Sequence, residues 1–257
     1  MPRWFSRLRR VVPQPWQPWA IIVSIFVALG IYYSVTTPLW EAPDEPAHFG
    51  NVWYIATHKQ LPVPGTFYTW HQSPLYHIIA AAFISGVEMS TPQEWIRPNP
   101  RSPAITNSGE VNIALHSLQE LAPYRDISLA AHIARWVNVF FGAITVTVTY
   151  ILGRRMFPAR PWIAVGAAGL VAFNPQFIFM NSVVQNDALL SAAFALTLLP
   201  ALSIVQGDYR VRQFLGLGAL TGVAILAKQS GIVLIGVAGA VILWAAWQTR
   251  GWKNLFV

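Results

Sequence analysis

Three carboxylates and an imidazole fall within ten residues, Glu41-Ala-Pro-Asp-Glu-Pro-Ala-His-Phe-Gly50, directly after an apolar segment long enough to cross a bilayer. Ionisable groups at a membrane boundary are costly to desolvate, so they persist where they bind or react with something. Two more ionic groups interrupt apolar sequence. Asp187 follows Asn186 at the start of one apolar segment, and Lys228 ends another in Leu226-Ala-Lys-Gln-Ser-Gly231. A hydroxyl that attacks an electrophilic carbon must lose its proton as the bond forms, and a carboxylate within about 2.6–3.2 Å takes it. Asp44 is the candidate base, with Glu45 beside it. Lys228 and Arg135 are the cations that could stabilise negative charge developing in such a reaction.

Each residue also has a plainer reading. Asp44 or Glu45 caps a helix beginning at Pro46, and Asp187 caps the helix after it. Lys228 snorkels to the headgroups. His48 lies four residues after Asp44 on the same helical face, as a hydrogen-bonding partner or as a metal ligand with Asp44 and Glu45. No cofactor and no fixed metal are expected, although an acid pair leaves a divalent cation open.

The chain of 257 residues is 54% hydrophobic and only 11% charged, with a positive mean hydropathy of +0.44. A soluble domain carries about 25% charged residues, so the fold class is an all-α membrane protein embedded in a lipid bilayer. Its net charge of +7 does not indicate nucleic acid, because the basic residues sit between apolar segments rather than on one face. The absence of cysteine excludes disulfides and thiolate chemistry. Neither a P-loop nor a Rossmann fingerprint occurs, so no soluble nucleotide-binding motif is present.

Apolar segments at 20–38, 128–152, 162–181, 186–205, 213–228 and 230–248 approach the roughly 17–25 residues of a spanning helix. The shorter run 78–87 reads as re-entrant or interfacial. In 46–58, Phe49, Val52, Trp53 and Ala56 recur at helical spacing after Pro46, which predicts an amphipathic helix lying on the membrane. Residues 89–124 read as an irregular loop. Arg3, Arg7, Arg9 and Arg10 resemble a signal-peptide n-region, but the apolar run after them is longer than a typical h-region and lacks a cleavage site, so a retained anchor is expected.

With six spans and a cytoplasmic N-terminus, 11 of the 17 lysines and arginines fall on the cytoplasmic side, together with one acid, Asp208. The other face then holds nine of the ten acids and the remaining six bases. This arrangement makes 39–127 an extracytoplasmic loop inserted in a single transmembrane domain spanning 1–257, and brings Asp44, Asp187 and Lys228 to one membrane face.

Pro38-Leu-Trp-Glu-Ala-Pro-Asp-Glu-Pro-Ala-His-Phe49, His71-Gln-Ser-Pro-Leu-Tyr76, Ala134-Arg-Trp-Val-Asn138, Asn174-Pro-Gln-Phe177 with Asn186-Asp-Ala-Leu189, and Leu226-Ala-Lys-Gln-Ser-Gly231 occur in that order. Together they resemble the GT-C membrane glycosyltransferases, in the branch that contains protein O-mannosyltransferases and the lipid A aminoarabinose transferase. The resemblance implies a bacterial plasma-membrane enzyme with an inverting transfer at the extracytoplasmic face. The donor would be a polyprenyl-phosphate-linked sugar and the acceptor a glycan, lipid or protein. By the same analogy Asp44 takes the catalytic acidic position, Asp187 matches an acid of the same cavity and Lys228 a base near the lipid phosphate. Ser73 stands where many relatives have a second proline. The chain ends at Val257 after its sixth span, whereas relatives continue, so a truncated member is expected. The competing readings are a transporter or lipid flippase, which would place charges near the bilayer midplane, and an inactive fragment.

Overall fold

The computed structural model of the chain describes residues 16–66, 70–102 and 112–250. The basic run Arg3 to Arg10, Glu110 and the end of the chain at Val257 lie outside these residues. Among them the regular structure is helical, and β-pairing is limited to an isolated bridge between Pro98 and Ala114.

Helices α1 (Trp16–Thr36), α5 (Asp126–Met156), α6 (Pro161–Ala172), α8 (Asp187–Val205), α9 (Val211–Ala227) and α10 (Val233–Arg250) form the bundle. Four stretches, Pro18–Thr36, Asp126–Met156, Asp187–Val205 and Gln229–Thr249, are long and apolar enough to cross a membrane. The expected segment 162–181 is broken at Phe173 and Asn174. The Asn174 carboxamide accepts from the backbone N–H of Gln176 and Phe177 at 2.9 and 3.2 Å, which starts a separate short helix, α7 (Pro175–Met180). Pro175 enforces the break, because a residue before proline is pushed out of the α region.

Helix α5 is the axis of the bundle: α1, α6 and α8 all pack on it, and α9 lies against α8. Its 31 residues extend about 46 Å at 1.5 Å per residue, longer than the roughly 30 Å hydrocarbon core. Close approach relies on small residues, as in membrane bundles generally. A side chain at Gly153 would lie 2.7 Å from the Ala164 backbone, and Ala164, Ala168 and Ala172 are fully buried along one stripe of α6. Large apolar side chains such as Ile21, Ile25, Leu170, Leu215, Ile235 and Leu243 stay exposed on the outside of the bundle, a surface suited to lipid.

Between α1 and α5 lie α2 (Glu45–His58), α3 (Leu75–Ile84), the single turn α4 (Pro92–Trp95) and a 3-10 turn at Leu118–Glu120. The helical spacing in 46–58 is realised, but its apolar face does not rest on a bilayer. Phe49, Val52 and Ala56 are buried in one core with Tyr76 and Ile84 of α3 and Ala130 and Ala134 of α5. A neighbouring ten-residue apolar helix, which starts at Leu75 rather than at residue 78, offers that face a protein partner.

The loop is pinned back to the sequence that follows α1. Glu41 accepts from the backbone N–H of Ile113 and Ala114 at 2.8 and 2.9 Å, and His116 reaches Glu41 and Glu120 through its two ring nitrogens, each at 2.9 Å. Both nitrogens face carboxylates, so the ring is held as imidazolium. Burial opposes the charge on His116, but the bonds to Glu120 and Glu41 outweigh it and raise the pKa above 6.5. Burial likewise works against ionised Glu41, yet the donors Ile113, Ala114 and His116 prevail and lower its pKa below 4.5. The His116 contribution is complete below 6.5 and fades as pH rises through its elevated value. The Glu41 contribution is complete above 4.5 and fades as pH falls through its depressed value. Protection of 112–120 from protease is therefore greatest between 4.5 and 6.5. The ratio of cleavage rates for Glu41→Gln and the parent, measured at each pH, should peak in that window; a ratio that does not vary with pH would contradict the clamp.

Candidate functional site

The first element of the site is a closed polar knot at one end of the bundle. Arg135 of α5 and Glu45 at the start of α2 are both completely buried. Nε and Nη2 of Arg135 donate to the two Glu45 oxygens at 2.7 Å each, Nη1 donates to the Ser34 and Thr37 carbonyls, and Nη2 also donates to the Pro38 carbonyl. All five guanidinium N–H groups are thereby used, three of them on carbonyls around the end of α1. Glu45 in turn accepts from the backbone N–H of Trp40 at 3.1 Å and of Val184 at 2.9 Å. The Glu45–Arg135 pair thus joins α1, the 38–44 turn, α5 and the turn before α8. Three residues along α5, on the same face, the Asn138 carboxamide donates to the Val183 and Gln185 carbonyls and fixes that second turn as well.

The knot holds an unusual backbone. Trp40 at φ 72° and Asp44 at φ 61° are both left-handed, a region that a bulky residue enters only when its surroundings enforce it. Asp44 occupies the position before α2 but makes no capping hydrogen bond, so the cap reading fails for it. It is exposed, and its carboxylate forms no hydrogen bond or ion pair among the described residues. The motif therefore divides its two acids: Glu45 is saturated inside the protein, while Asp44 is turned outward and unengaged.

Asp187 does not cap α8 either. Its carboxylate accepts from Lys228 Nζ at 2.6 Å, with both side chains about one-third exposed, 35% and 30%. Lys228 is thus paired rather than snorkelling. It terminates α9 in extended backbone, φ −157° and ψ 143°, and a 3-10 turn, Gln229–Ile232, follows before α10. The His71–Tyr76 motif braces this corner. Ser73 Oγ donates to the Ile225 carbonyl at 2.9 Å, and the Gln72 side chain accepts from Asn186 Nδ2 at 3.1 Å.

Gly231 is required by this corner. A Cβ there would lie 2.4 Å from the Ala224 carbonyl carbon and oxygen, which are backbone atoms that cannot swing away. Gly231→Ala should push the turn off α9 and displace Lys228, at a stability cost of about 1–3 kcal/mol. Thermal melting of the purified protein together with its transfer rate checks this; an unchanged melting temperature contradicts it.

His48 links the two halves. It is 5% exposed, its Nδ1 lies 2.9 Å from Nε2 of His77, and the charges of Asp44, Lys228, Asp187 and Glu45 all reach it. Burial dominates and pushes the imidazole down to about 4, against the pull of the three carboxylates and with the push of Lys228. The residues expected from sequence therefore include two contacting pairs, Glu45–Arg135 and Asp187–Lys228, and the charges of Asp44, Glu45, Asp187 and Lys228 all reach His48. A cavity of about 570 Å³ lined by Val35, Thr37, Leu121 and His132 lies beside the end of α1 and includes none of Asp44, Asp187 and Lys228. Among the described residues no group of three or more His, Asp or Glu could hold a metal ion.

Sequence reasoning did not single out His77, Asn138, Gln72 or Ser73 as parts of the site. Their only signal was membership in the His71–Tyr76 and Ala134–Asn138 motifs; His77 lies one residue beyond the first of these.

Residues 130–256, which begin at the fifth residue of α5, match the family model described as dolichyl-phosphate-mannose-protein mannosyltransferase. The matched region contains Arg135, Asn138, Asp187 and Lys228, whereas Asp44, Glu45 and His48 precede it. Searches of curated proteins and of solved structures gave no match. The family match, with four helices among the described residues long and apolar enough to cross a membrane, supports a membrane glycosyltransferase of the GT-C type.

Proposed function

We propose that the protein is an inverting glycosyltransferase of the bacterial plasma membrane. It moves a sugar from a polyprenyl phosphate to a hydroxyl of a glycan, lipid or protein, with residues 39–127 on the extracytoplasmic face and the N-terminus in the cytoplasm. The observation that carries this reading is the contrast between the two adjacent acids. Glu45 has every acceptor position filled by Arg135, Trp40 and Val184, while Asp44 is exposed and makes no hydrogen bond among the described residues, and its charge reaches His48 as do those of Asp187 and Lys228.

In this reaction Asp44 takes the proton of the acceptor hydroxyl as the new bond to the anomeric carbon forms. The bond from that carbon to the phosphate oxygen breaks on the opposite side, and its electron pair leaves with the lipid phosphate. Lys228 meets the charge that develops there, with its direction set by Asp187. Glu45 and Arg135 act through Asp44 by fixing the turn that carries it. The polyprenyl chain would lie along apolar outer faces of the bundle, which suits a donor delivered from the bilayer.

The test is transfer from radiolabelled polyprenyl-phosphate mannose in membranes that contain the folded protein. Label recovered in an acceptor supports the reading, and so does its loss in Lys228→Ala. Transfer that persists in Lys228→Ala at the parental rate would remove the lysine from the reaction.

A further inference from the structure

The cavity beside the end of α1 takes no part in the reaction proposed above, and its walls carry chemistry of their own. It encloses about 570 Å³, within the range of small-molecule sites. One wall is the end of α1 with Thr37 to Leu39, a second is the clamped turn from His116 to Leu121, and His132 of α5 contributes the third. Among these residues Val35, Leu118 and Leu121 are 47%, 84% and 62% exposed and give the cavity an apolar rim. Ile21, Ile25, Ala28, Tyr32 and Val35 are all exposed and follow one another at three- and four-residue spacing, so they form one stripe along α1 that ends at the cavity. The stripe runs about 21 Å at 1.5 Å per residue, more than one leaflet of a roughly 30 Å hydrocarbon core.

A buried ring nitrogen opens on this space. His132 is 2% exposed, its ring stacks on Tyr124 with centroids 3.8 Å apart, and Nδ1 lies 2.8 Å from the Ser128 carbonyl. No carboxylate bonds to the ring among the described residues, so nothing offsets the cost of burying a charge there and the ring is neutral. A carbonyl only accepts, so the single ring proton sits on Nδ1 and Nε2 keeps a lone pair. Nε2 makes no hydrogen bond among the described residues, yet it is not one of the polar atoms sealed inside the protein. On a residue that lines the cavity, such an atom is reached from the cavity.

The clamped turn adds charge. His116 bonds Glu41 and Glu120 at 2.9 Å each, so two carboxylates share one imidazolium and a negative charge is left over. Glu120 lines the cavity, and among the described residues no lysine or arginine does. An acceptor nitrogen and an unbalanced carboxylate, at the end of an apolar stripe, suit a cation that has N–H groups and a hydrocarbon tail; they repel a phosphate.

We infer that the cavity binds the primary ammonium headgroup of an aminophospholipid, with Glu120 facing its charge, Nε2 of His132 accepting one N–H, and an acyl chain lying along the α1 stripe. The site is separate from Asp44, Asp187 and Lys228, none of which lines it, and the inference does not depend on sugar transfer.

Native mass spectrometry of the full chain, released from maltoside micelles with one added lipid at a time, tests it. Phosphatidylethanolamine should bind as a single retained molecule. Phosphatidylcholine keeps the positive charge but has no N–H, and phosphatidylglycerol offers hydroxyls without a cation; each should bind about tenfold more weakly, the worth of one hydrogen bond to a charged group. Equal retention of phosphatidylcholine overturns the His132 contact, and equal retention of phosphatidylglycerol overturns the choice of an ammonium. His132→Phe keeps a ring on Tyr124 but removes the acceptor, and should bring phosphatidylethanolamine down to the level of phosphatidylcholine. Leu121→Lys, at a position exposed enough to leave the fold intact, places a cation at the rim and should weaken phosphatidylethanolamine about tenfold as well. If His132→Phe melts below the parent, Leu121→Lys decides alone. Parental binding of phosphatidylethanolamine by Leu121→Lys overturns the assignment of the cavity.

Discussion

Asp44→Asn abolishes sugar transfer in membranes, by about 10²–10⁴-fold, the range that a positioned general base contributes, and leaves the melting temperature of the purified protein unchanged. Asparagine is the informative replacement because of the backbone. Residue 44 sits at φ 61°, a conformation that Asn adopts nearly as readily as Asp. Alanine there would add strain and confuse a lost base with a moved turn. The carboxylate makes no capping bond, so its neutralisation removes no native contact. Parental transfer by Asp44→Asn would end the assignment of Asp44 as base, and a fall in melting temperature would show that it has a structural duty not visible in its contacts.

Glu45→Gln behaves in the opposite way and loses stability first. The substitution places an amide N–H₂ against a guanidinium that has no acceptor to offer, in a site where both partners are 0% exposed. Breaking one side of a fully buried ion pair costs about 3–5 kcal/mol. Arg135→Lys is not a conservative alternative, since an ammonium has three donors and no planar fork with which to reach both Glu45 oxygens and three carbonyls at once. Both variants should melt well below the parent, and both should lose transfer because the 38–44 turn is no longer fixed. The pair of acids is thereby separated by experiment: one variant loses activity at constant stability, the other loses both. Parental melting for Glu45→Gln would show that the knot is not needed for stability.

The organisation of the chain was largely legible in its sequence because bilayer and helix physics act locally. Runs of apolar residues specify helices wherever they occur, and Pro46, Pro161 and Pro175 at helix starts mark their beginnings. The 3.6-residue spacing of Phe49, Val52 and Ala56 located the buried face of α2. The identity of what that face meets was not local information, and a protein core took the place assigned to the bilayer. The break at Asn174 coincides with an Asn-Pro pair inside a run that reads as one apolar segment, 162–181.

The sequence alone determined that ionisable residues stand at the ends of apolar segments, and it singled out Asp44, Glu45, Asp187, Lys228, His48 and Arg135 as the candidates for a reaction. Only the tertiary structure decided how those charges divide among themselves. Arg135 pairs with Glu45 across 90 positions and Lys228 with Asp187 across 41, and neither separation follows a helical or turn period. Adjacent acids of the same chemistry cannot be told apart by type or spacing. Their difference comes from the αL backbone at Asp44, which sends one carboxylate out and the next one in, where two donors of Arg135 and two backbone N–H groups meet it.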